Sequence, residues 1–131
     1  ELIMSLEMVQ RRAARYVLHA YDWKDSVTEM LKILKWETLE ERRLKARAVM
    51  GYRVIHELVK VPNEQFTPTT VNTRGHAERF KQISARTNYY KYTFFPTFIP
   101  IWNALPSTVA SAPTLEEFRK RLADVKLKIP N

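Results

Sequence analysis

The sequence contains no cysteine, two glycines and three histidines among its 131 residues. Without cysteine, neither a disulfide framework nor a zinc site with thiolate ligands can form, and a reducing compartment is permitted. Two glycines make no glycine-rich phosphate loop, and the scattered histidines have no second ligand at metal-binding spacing. No nucleophile lies beside a base, and the acidic residues mostly belong to helix caps or polar helix faces. We therefore predict that this chain alone is not an enzyme and has neither a metal nor a cofactor.

Long apolar runs are also missing from the sequence. No uninterrupted run approaches the roughly 18–20 apolar residues that cross a membrane. Glu1 and Glu7 stand where a signal peptide would have its basic start. We expect a soluble intracellular protein, in the cytoplasm, the nucleus or both, with no membrane partner. The chain starts without methionine and inside an amphipathic pattern, so we take it for a piece of a longer polypeptide.

Charge is abundant and mainly positive. Lysine and arginine outnumber the acids by 22 to 14, which gives a formal net charge of +8. The first 25 residues are neutral in sum, and the excess is spread over residues 26–62, 63–113 and 114–131. This spread favours a broad basic surface for polyanions over a basic arm, and a merely soluble basic domain is the alternative. With 45% hydrophobic residues, the length suits one domain with its own core.

Apolar residues spaced three and four apart predict a first helix, from Leu2 to about His19. They form one face of this helix: Leu2, Leu6, Val9, Ala13, Val17 and Ala20. Capping boxes mark the start of three further helices, because a serine or threonine is followed three residues later by a glutamate. The pairs are Ser26 with Glu29, Thr38 with Glu41, and Thr114 with Glu117, and they predict helices to about Leu34, Lys60 and Lys126.

Between the helices, residues 62–78 predict a mobile loop with little to bury, and residues 107–113 predict a connector of small residues. The segment between them is rich in aromatic residues. From Asn88 to Phe94, apolar and polar positions alternate in residues that favour β structure, which predicts a half-buried strand closed by Pro96.

After that strand the spacing changes to that of a helix. A short helical stripe ended by Pro106 is predicted from Phe98, Ile101, Trp102 and Leu105. The aromatic rings of this stretch favour a core, and stacking on bases, with Arg86 and Lys91 beside them for phosphate, is the alternative.

These elements predict a mainly α protein, a small helical domain of about four to five helices with a short extended aromatic segment. Residues 79–85 fit either a helical turn or a strand, so a minor two-stranded β element is an open alternative. The predicted organisation is a single domain over residues 1–131, a fragment of a larger polyprotein. It comprises a helical half at 1–61, a loop connector at 62–78, and the aromatic strand with the C-terminal helices at 79–131.

Basic residues on the third predicted helix form the best candidate for a ridge that follows a nucleic-acid backbone, since such a helix is about 30 Å long. Arg42, Arg53 and Lys60 lie roughly opposite its apolar face, and Arg43, Lys45 and Arg47 flank them. Ordinary solvated charge is the alternative. The complete set of candidate nucleic-acid-binding residues is Arg11, Arg15, Arg42, Arg53, Lys60, Arg74, Arg86 and Lys91.

A series of sequence blocks covers nearly the whole chain. The blocks are residues 6–17 with Gln-Arg-Arg-Ala, 26–31, 34–44, Thr-Arg-Gly-His at 73–76, 86–96 with Asn-Tyr-Tyr-Lys-Tyr, and Trp-Asn-Ala-Leu-Pro at 102–106. Taken together and in this order, they resemble the region downstream of the polymerase core in reverse transcriptases of non-LTR (LINE-type, jockey-like) retrotransposons of animals.

The resemblance implies a segment that spans the end of the thumb and a C-terminal helical extension. Such a segment is expected to help hold template RNA and target DNA during target-primed reverse transcription, beside the upstream polymerase and thumb domains of the same polypeptide. The parent protein would be a reverse transcriptase with an endonuclease, and its catalytic aspartate pair would lie upstream. Some relatives have a zinc motif of cysteine and histidine near the C terminus, which this chain lacks. The alternative is a packing or protein-interaction module, including a domesticated remnant, with no nucleic-acid role of its own.

Overall fold

A computed structural model describes residues 1–70 and 75–128. Over these residues the protein is mainly helical, which confirms the predicted fold class. The helices are α1 Leu2–Leu18, α2 Val27–Leu34, α3 Leu39–Ile55, α4 Asn88–Lys91, α5 Phe94–Asn103, α6 Ser107–Ala110 and α7 Leu115–Ala123. The chain divides into two compact units, one up to Arg43 and one from Leu44 onward, so the division falls inside α3. The segmentation of residues 1–131 as one domain stays a prediction.

The first unit contains the pair α1 and α2. Helix α1 is followed by His19, which adopts a left-handed conformation with φ of 50°, a common way to close a helix. Both helices lie where the sequence predicts them. The capping box predicted at Ser26 is wrong, however, because the Ser26 side chain makes no cap hydrogen bond. The carboxylate of Glu29 pairs instead with Lys32 one turn further along, at 3.3 Å.

The contact between these helices uses little of the apolar face predicted for α1, of which Ala20, just beyond the helix, packs against the buried cluster. Ala14 of α1 packs against Met30 and Leu31 of α2, and all three are buried. Leu6 and Val9, which belong to the predicted face, are exposed. On α1, Ala14 points about 100° away from the mean direction of Leu6 and Val9, because each residue of a helix turns the side-chain direction by about 100°. An apolar stripe of α1 therefore stays uncovered.

The second capping box is confirmed at the start of α3. Glu41 N donates to Thr38 Oγ1 at 3.2 Å, and Thr38 N donates to Glu41 Oε2 at 3.3 Å. The predicted end near Lys60 is wrong, because α3 ends at Ile55. Glu57 adopts a left-handed conformation with φ of 54°. Leu58 N then donates to the carbonyl of Arg53 at 2.8 Å, a backbone pattern that closes a helix.

The predicted strand between Asn88 and Phe94 is wrong, because this segment forms α4 and the start of α5. Thr87 Oγ1 accepts a hydrogen bond from Tyr90 N at 3.3 Å and so caps α4. The alternating polar and apolar residues that indicate a strand lie in α4, at the start of α5 and between the two helices. The extended aromatic segment of the predicted fold is therefore helical.

Helix α5 runs through two prolines. Pro96 lies in the first turn, where backbone N–H groups have no helical partner. Pro100 lies inside the helix and leaves the carbonyl of Pro96 without its usual donor. The side chain of Gln82 replaces that donor, because its Nε2 is 3.2 Å from the Pro96 carbonyl oxygen.

The predicted stripe on α5 forms the core of the second unit, and Phe98, Ile101, Trp102 and Leu105 are all buried. The ring of Trp102 lies 5.9 Å from that of Phe98 and 6.0 Å from that of Phe118 on α7. On the same core, Tyr52 stacks on Phe118 at 4.4 Å. Each of these rings buries a large apolar area, and this burial stabilises the unit.

Two predicted connectors bury more than expected. Residues 107–113 contain α6, with Val109 and Ala110 buried, because these small apolar residues pack against the core. In the loop 62–78, Phe66 packs on the core and His76 is 4% exposed. The prediction that this loop has little to bury is therefore wrong. Within the described residues, the β element is reduced to an isolated bridge between Pro68 and Phe80.

The last helix begins as predicted, since Thr114 Oγ1 accepts from Glu117 N at 3.2 Å. The Glu117 carboxylate does not complete the capping box. It accepts from Arg121 Nε at 2.8 Å, the predicted pair one turn apart. Helix α7 ends at Ala123 and buries Phe118 and Leu122.

Candidate nucleic-acid interface

Three of the predicted nucleic-acid-binding residues belong to the first unit. Arg11 and Arg42 are exposed. Arg15 is half-buried, and its guanidinium donates to the carbonyls of Asp22 and Asp25 at 3.0 and 3.4 Å. These bonds hold the turn between α1 and α2, so Arg15 has a structural role that its sequence position did not indicate.

The other predicted residues lie in the second part of the chain. Arg53 is half-buried, and its Nε is buried without a hydrogen-bond partner in the part that the structure describes. Lys60 is exposed but lies beyond the end of α3, so the predicted ridge does not continue to it. Arg74 lies outside the described residues. Arg86 and Lys91 are exposed before and at the end of α4.

The structure brings Lys91 together with Arg47 at a groove of the second unit. This groove has a volume of about 590 Å³, which lies within the usual range for small-ligand pockets, roughly 300–1,000 Å³. The described lining residues include two cations and no acid. They are Arg47, Gln82, Ile83, Ala85, Lys91, Tyr92, Pro96, Thr97, Pro100 and Ile101.

Local hydrogen bonds hold the wall of the groove that α4 forms. The Thr87 cap fixes the start of α4, and Thr93 Oγ1 donates to the carbonyl of Tyr90 at 2.7 Å. Tyr90 also donates from its hydroxyl to Gln65 Oε1 at 2.9 Å. Tyr92, which follows α4 directly, is 71% exposed. The bond from Gln82 to the Pro96 carbonyl joins two further lining residues of the groove.

The groove combines positive charge with apolar and aromatic surface. Ile101 is buried at its floor, while Lys91 and Tyr92 are exposed at its rim. The Lys91 Nζ lies 5.8 Å from the centroid of the Tyr92 ring, within the range of a cation–π contact. The guanidinium of Arg47 suits phosphate recognition because it offers several donors in a planar fork. Chemically, the site suits a flat apolar group joined to an anion.

The sequence predicts Lys91 as a binding residue but does not indicate that it shares a site with Arg47. Arg47 is predicted only as a charge that flanks the ridge on the third helix, and the two residues are far apart in sequence. Tyr92 was assigned to the apolar face of a strand that does not exist. Its neighbour Lys91 and the preceding Arg86 were the available signals that this stretch bears positive charge.

Comparison with protein-family models, with curated proteins and with solved structures finds no match to this chain. Among residues 1–70 and 75–128, no helix has the length and hydropathy needed to cross a membrane. The same residues contain no group of three or more histidine, aspartate or glutamate side chains that could hold a metal ion.

Proposed function

We propose that the chain is a non-catalytic, nucleic-acid-binding C-terminal extension of a LINE-type retrotransposon reverse transcriptase. In this role it helps hold template RNA or target DNA during target-primed reverse transcription inside the cell. The observation that carries the proposal is the groove with Arg47 and Lys91 and no acid among its described lining residues. The ordered sequence blocks that resemble the family supply the biological context.

The positive charge of the chain favours a nucleic-acid ligand over an uncharged one. A net charge of +8 spread along the chain attracts polyanions. Phosphate contacts from lysine and arginine dominate the affinity of most nucleic-acid-binding proteins and release counterions. A groove with two cations beside apolar surface gives such contacts a defined place. Recognition of this kind orients the backbone and does not read the base sequence.

The test is the affinity of the purified chain for single-stranded RNA, an RNA hairpin and duplex DNA, each at three salt concentrations. The proposal expects binding that falls steeply with salt. The variant Arg47→Gln/Lys91→Gln is expected to weaken binding roughly ten-fold or more, since it removes two phosphate contacts. The matched control is Arg119→Gln/Lys120→Gln, which removes the same charge from exposed positions of α7.

Equal losses of affinity in the two double variants would show that binding depends on the overall charge of the chain and not on the groove. Affinity no higher than that of an unrelated basic protein would contradict the nucleic-acid function itself. Far-UV circular dichroism and thermal unfolding of each variant exclude loss of fold as the cause of weaker binding.

A second candidate function is a packing or protein-interaction module with no nucleic-acid role of its own. The exposed apolar face of α1 favours it, since Leu2 is 83% exposed and Val9 is 62% exposed. An uncovered stripe of this kind is typical of surfaces that dock on a partner, which here would be the upstream thumb. The isolated chain is then expected to associate as its concentration rises, and Leu6→Gln/Val9→Gln to abolish this in sedimentation velocity. A monomer at all concentrations would contradict this candidate.

A further inference from the structure

We infer that the groove binds single-stranded nucleic acid in preference to duplex, with one unpaired base stacked on Tyr92 and its phosphate beside Arg47 and Lys91. This inference rests on the proposed function and specifies the ligand of the same site. RNA and DNA single strands share this chemistry, and the experiment below distinguishes them.

Tyr92 is 71% exposed at the groove. Tyr89 of the same unit is 89% exposed but is not among the described lining residues of the groove, whereas the other two tyrosines of the unit are used by the fold. The hydroxyl of Tyr52 donates to the Ala112 carbonyl at 2.8 Å, and that of Tyr90 donates to Gln65. No hydrogen bond joins the Tyr92 hydroxyl to any other described residue. The packing of the unit therefore does not explain why a large ring stands at the rim of the groove.

An exposed ring of this kind can stack on a nucleic-acid base. Every base has a flat π face, and stacking on an aromatic side chain is a sequence-tolerant way to bind single strands. In a duplex both faces of an internal base are covered by its neighbours, so a protein ring reaches them only if the base is unpaired or flipped out. An exposed tyrosine at a basic groove can therefore stack on an unpaired base but not on a base inside a duplex.

Tyr92 shares the groove with two positively charged side chains. The Lys91 Nζ lies 5.8 Å from the centroid of the Tyr92 ring, and Arg47 lines the same groove. A base stacked on this ring would bring its own phosphate near both cations. Buried Ile101 and half-buried Ile83 give the remainder of the base an apolar surface. A duplex phosphate would meet the same cations but leave the ring unused.

The experiment measures fluorescence anisotropy of a labelled single-stranded RNA, the same sequence as single-stranded DNA, and the corresponding duplexes at one salt concentration. Tyr92→Ala is expected to weaken binding of the single strands roughly ten-fold, the usual order for one stacked base. Duplex binding is expected to change less than two-fold. Tyr92→Phe keeps the ring and is expected to retain single-strand affinity. Tyr21→Ala is the control, since it removes another exposed tyrosine, in the first unit.

A second readout reports the stacking itself. A strand that contains 2-aminopurine is expected to lose fluorescence on binding to the native chain and to Tyr92→Phe, but not on binding to Tyr92→Ala. A larger loss of fluorescence with RNA than with DNA would assign the groove to template RNA, and a larger loss with DNA would assign it to an unpaired stretch of target DNA.

The outcomes separate this inference from the function on which it rests. If Tyr92→Ala weakens the binding of single strands and duplexes equally while salt-dependent binding persists, the inference is wrong and the proposed function stands. The same holds if salt-dependent binding persists and Tyr92→Ala changes the binding of neither. If a mononucleotide binds as tightly as the oligonucleotide, the groove is a small-ligand pocket and the inference is overturned. If no nucleic acid binds, both are wrong.

Discussion

The side-chain amide of Asn103 pairs with both backbone polar groups of Phe80. Phe80 N donates to Asn103 Oδ1 at 2.9 Å, and Asn103 Nδ2 donates to the Phe80 carbonyl at 2.8 Å. Trp102 adds a third bond, from its Nε1 to the Glu78 carbonyl at 2.8 Å. Its own carbonyl accepts from the ring nitrogen Nε2 of His76 at 2.8 Å. Side chains and carbonyls at the end of α5 thus fasten the segment of residues 76–80, which lies outside the helices.

We predict that Asn103→Ala destabilises the protein by about 1–3 kcal/mol, because it leaves two partly buried backbone groups of Phe80 unsatisfied. The measurement is the free energy of unfolding in denaturant. Asn88→Ala, at an exposed first residue of α4, serves as the control and should change stability by less than about 0.5 kcal/mol. Equal effects of the two substitutions would show that the amide pairing contributes nothing specific.

Gly51 of α3 faces the ring of Phe98, and a β-carbon built on Gly51 would overlap that ring. Gly51→Ala should therefore destabilise the protein by about 1–3 kcal/mol through overpacking. Helix propensity alone predicts the opposite sign, since alanine is favoured over glycine by about 1 kcal/mol inside a helix. The unfolding free energy decides between the two.

A double-mutant cycle with Phe98→Leu tests the same contact. The smaller side chain should relieve the overlap, so that Gly51→Ala costs less in the Phe98→Leu background than in the native chain. Additive effects of the two substitutions would contradict a direct clash.

The mainly helical class and the starts of α3 and α7 follow from local signals. Thr38, Thr87 and Thr114 all cap helices in the structure, and two of them were found from the glutamate three residues later. Helix ends were harder to predict. The end of α3 depends on Glu57 adopting a left-handed conformation, which is unusual for a residue other than glycine.

The aromatic segment was predicted wrongly for a physical reason. Pro96 is predicted to close a strand, yet it lies in the first turn of α5, and this helix continues through Pro100 because Gln82 donates to the carbonyl that Pro100 leaves free. That side chain comes from a separate segment, so no local pattern indicates it. The groove likewise joins Arg47 of α3 with Lys91 of α4, and only the tertiary fold brings them to one site.

Burial raises the pKa of Tyr52 above its usual value, and the nearby negative charge of Glu78 raises it further. The folded state therefore favours the neutral phenol. Its contribution to stability is fully present below the pKa of the unfolded chain, about 10, and is lost as the pH rises through the higher pKa of the folded state.

We predict that Tyr52→Phe removes this alkaline sensitivity. At pH 8 the variant should be less stable than the native chain by about 1 kcal/mol, because it loses the hydrogen bond to the Ala112 carbonyl. Above pH 10 the difference should shrink, since only the native chain is then destabilised by ionisation of this tyrosine. Unfolding free energies at a series of pH values test this, and a difference that does not vary with pH would contradict it.

The helix caps allow a comparison of two similar residues in the first unit. Thr38 makes both bonds of a capping box, whereas the side chain of Ser26, also at a helix start, makes no cap hydrogen bond. Thr38→Ala should lower the free energy of unfolding by about 1 kcal/mol. Ser26→Ala should lower it by less than about 0.5 kcal/mol, although the sequence pattern at the two positions is the same. Equal losses would mean that Ser26 caps α2 in solution, and the capping box predicted from its sequence would then be right.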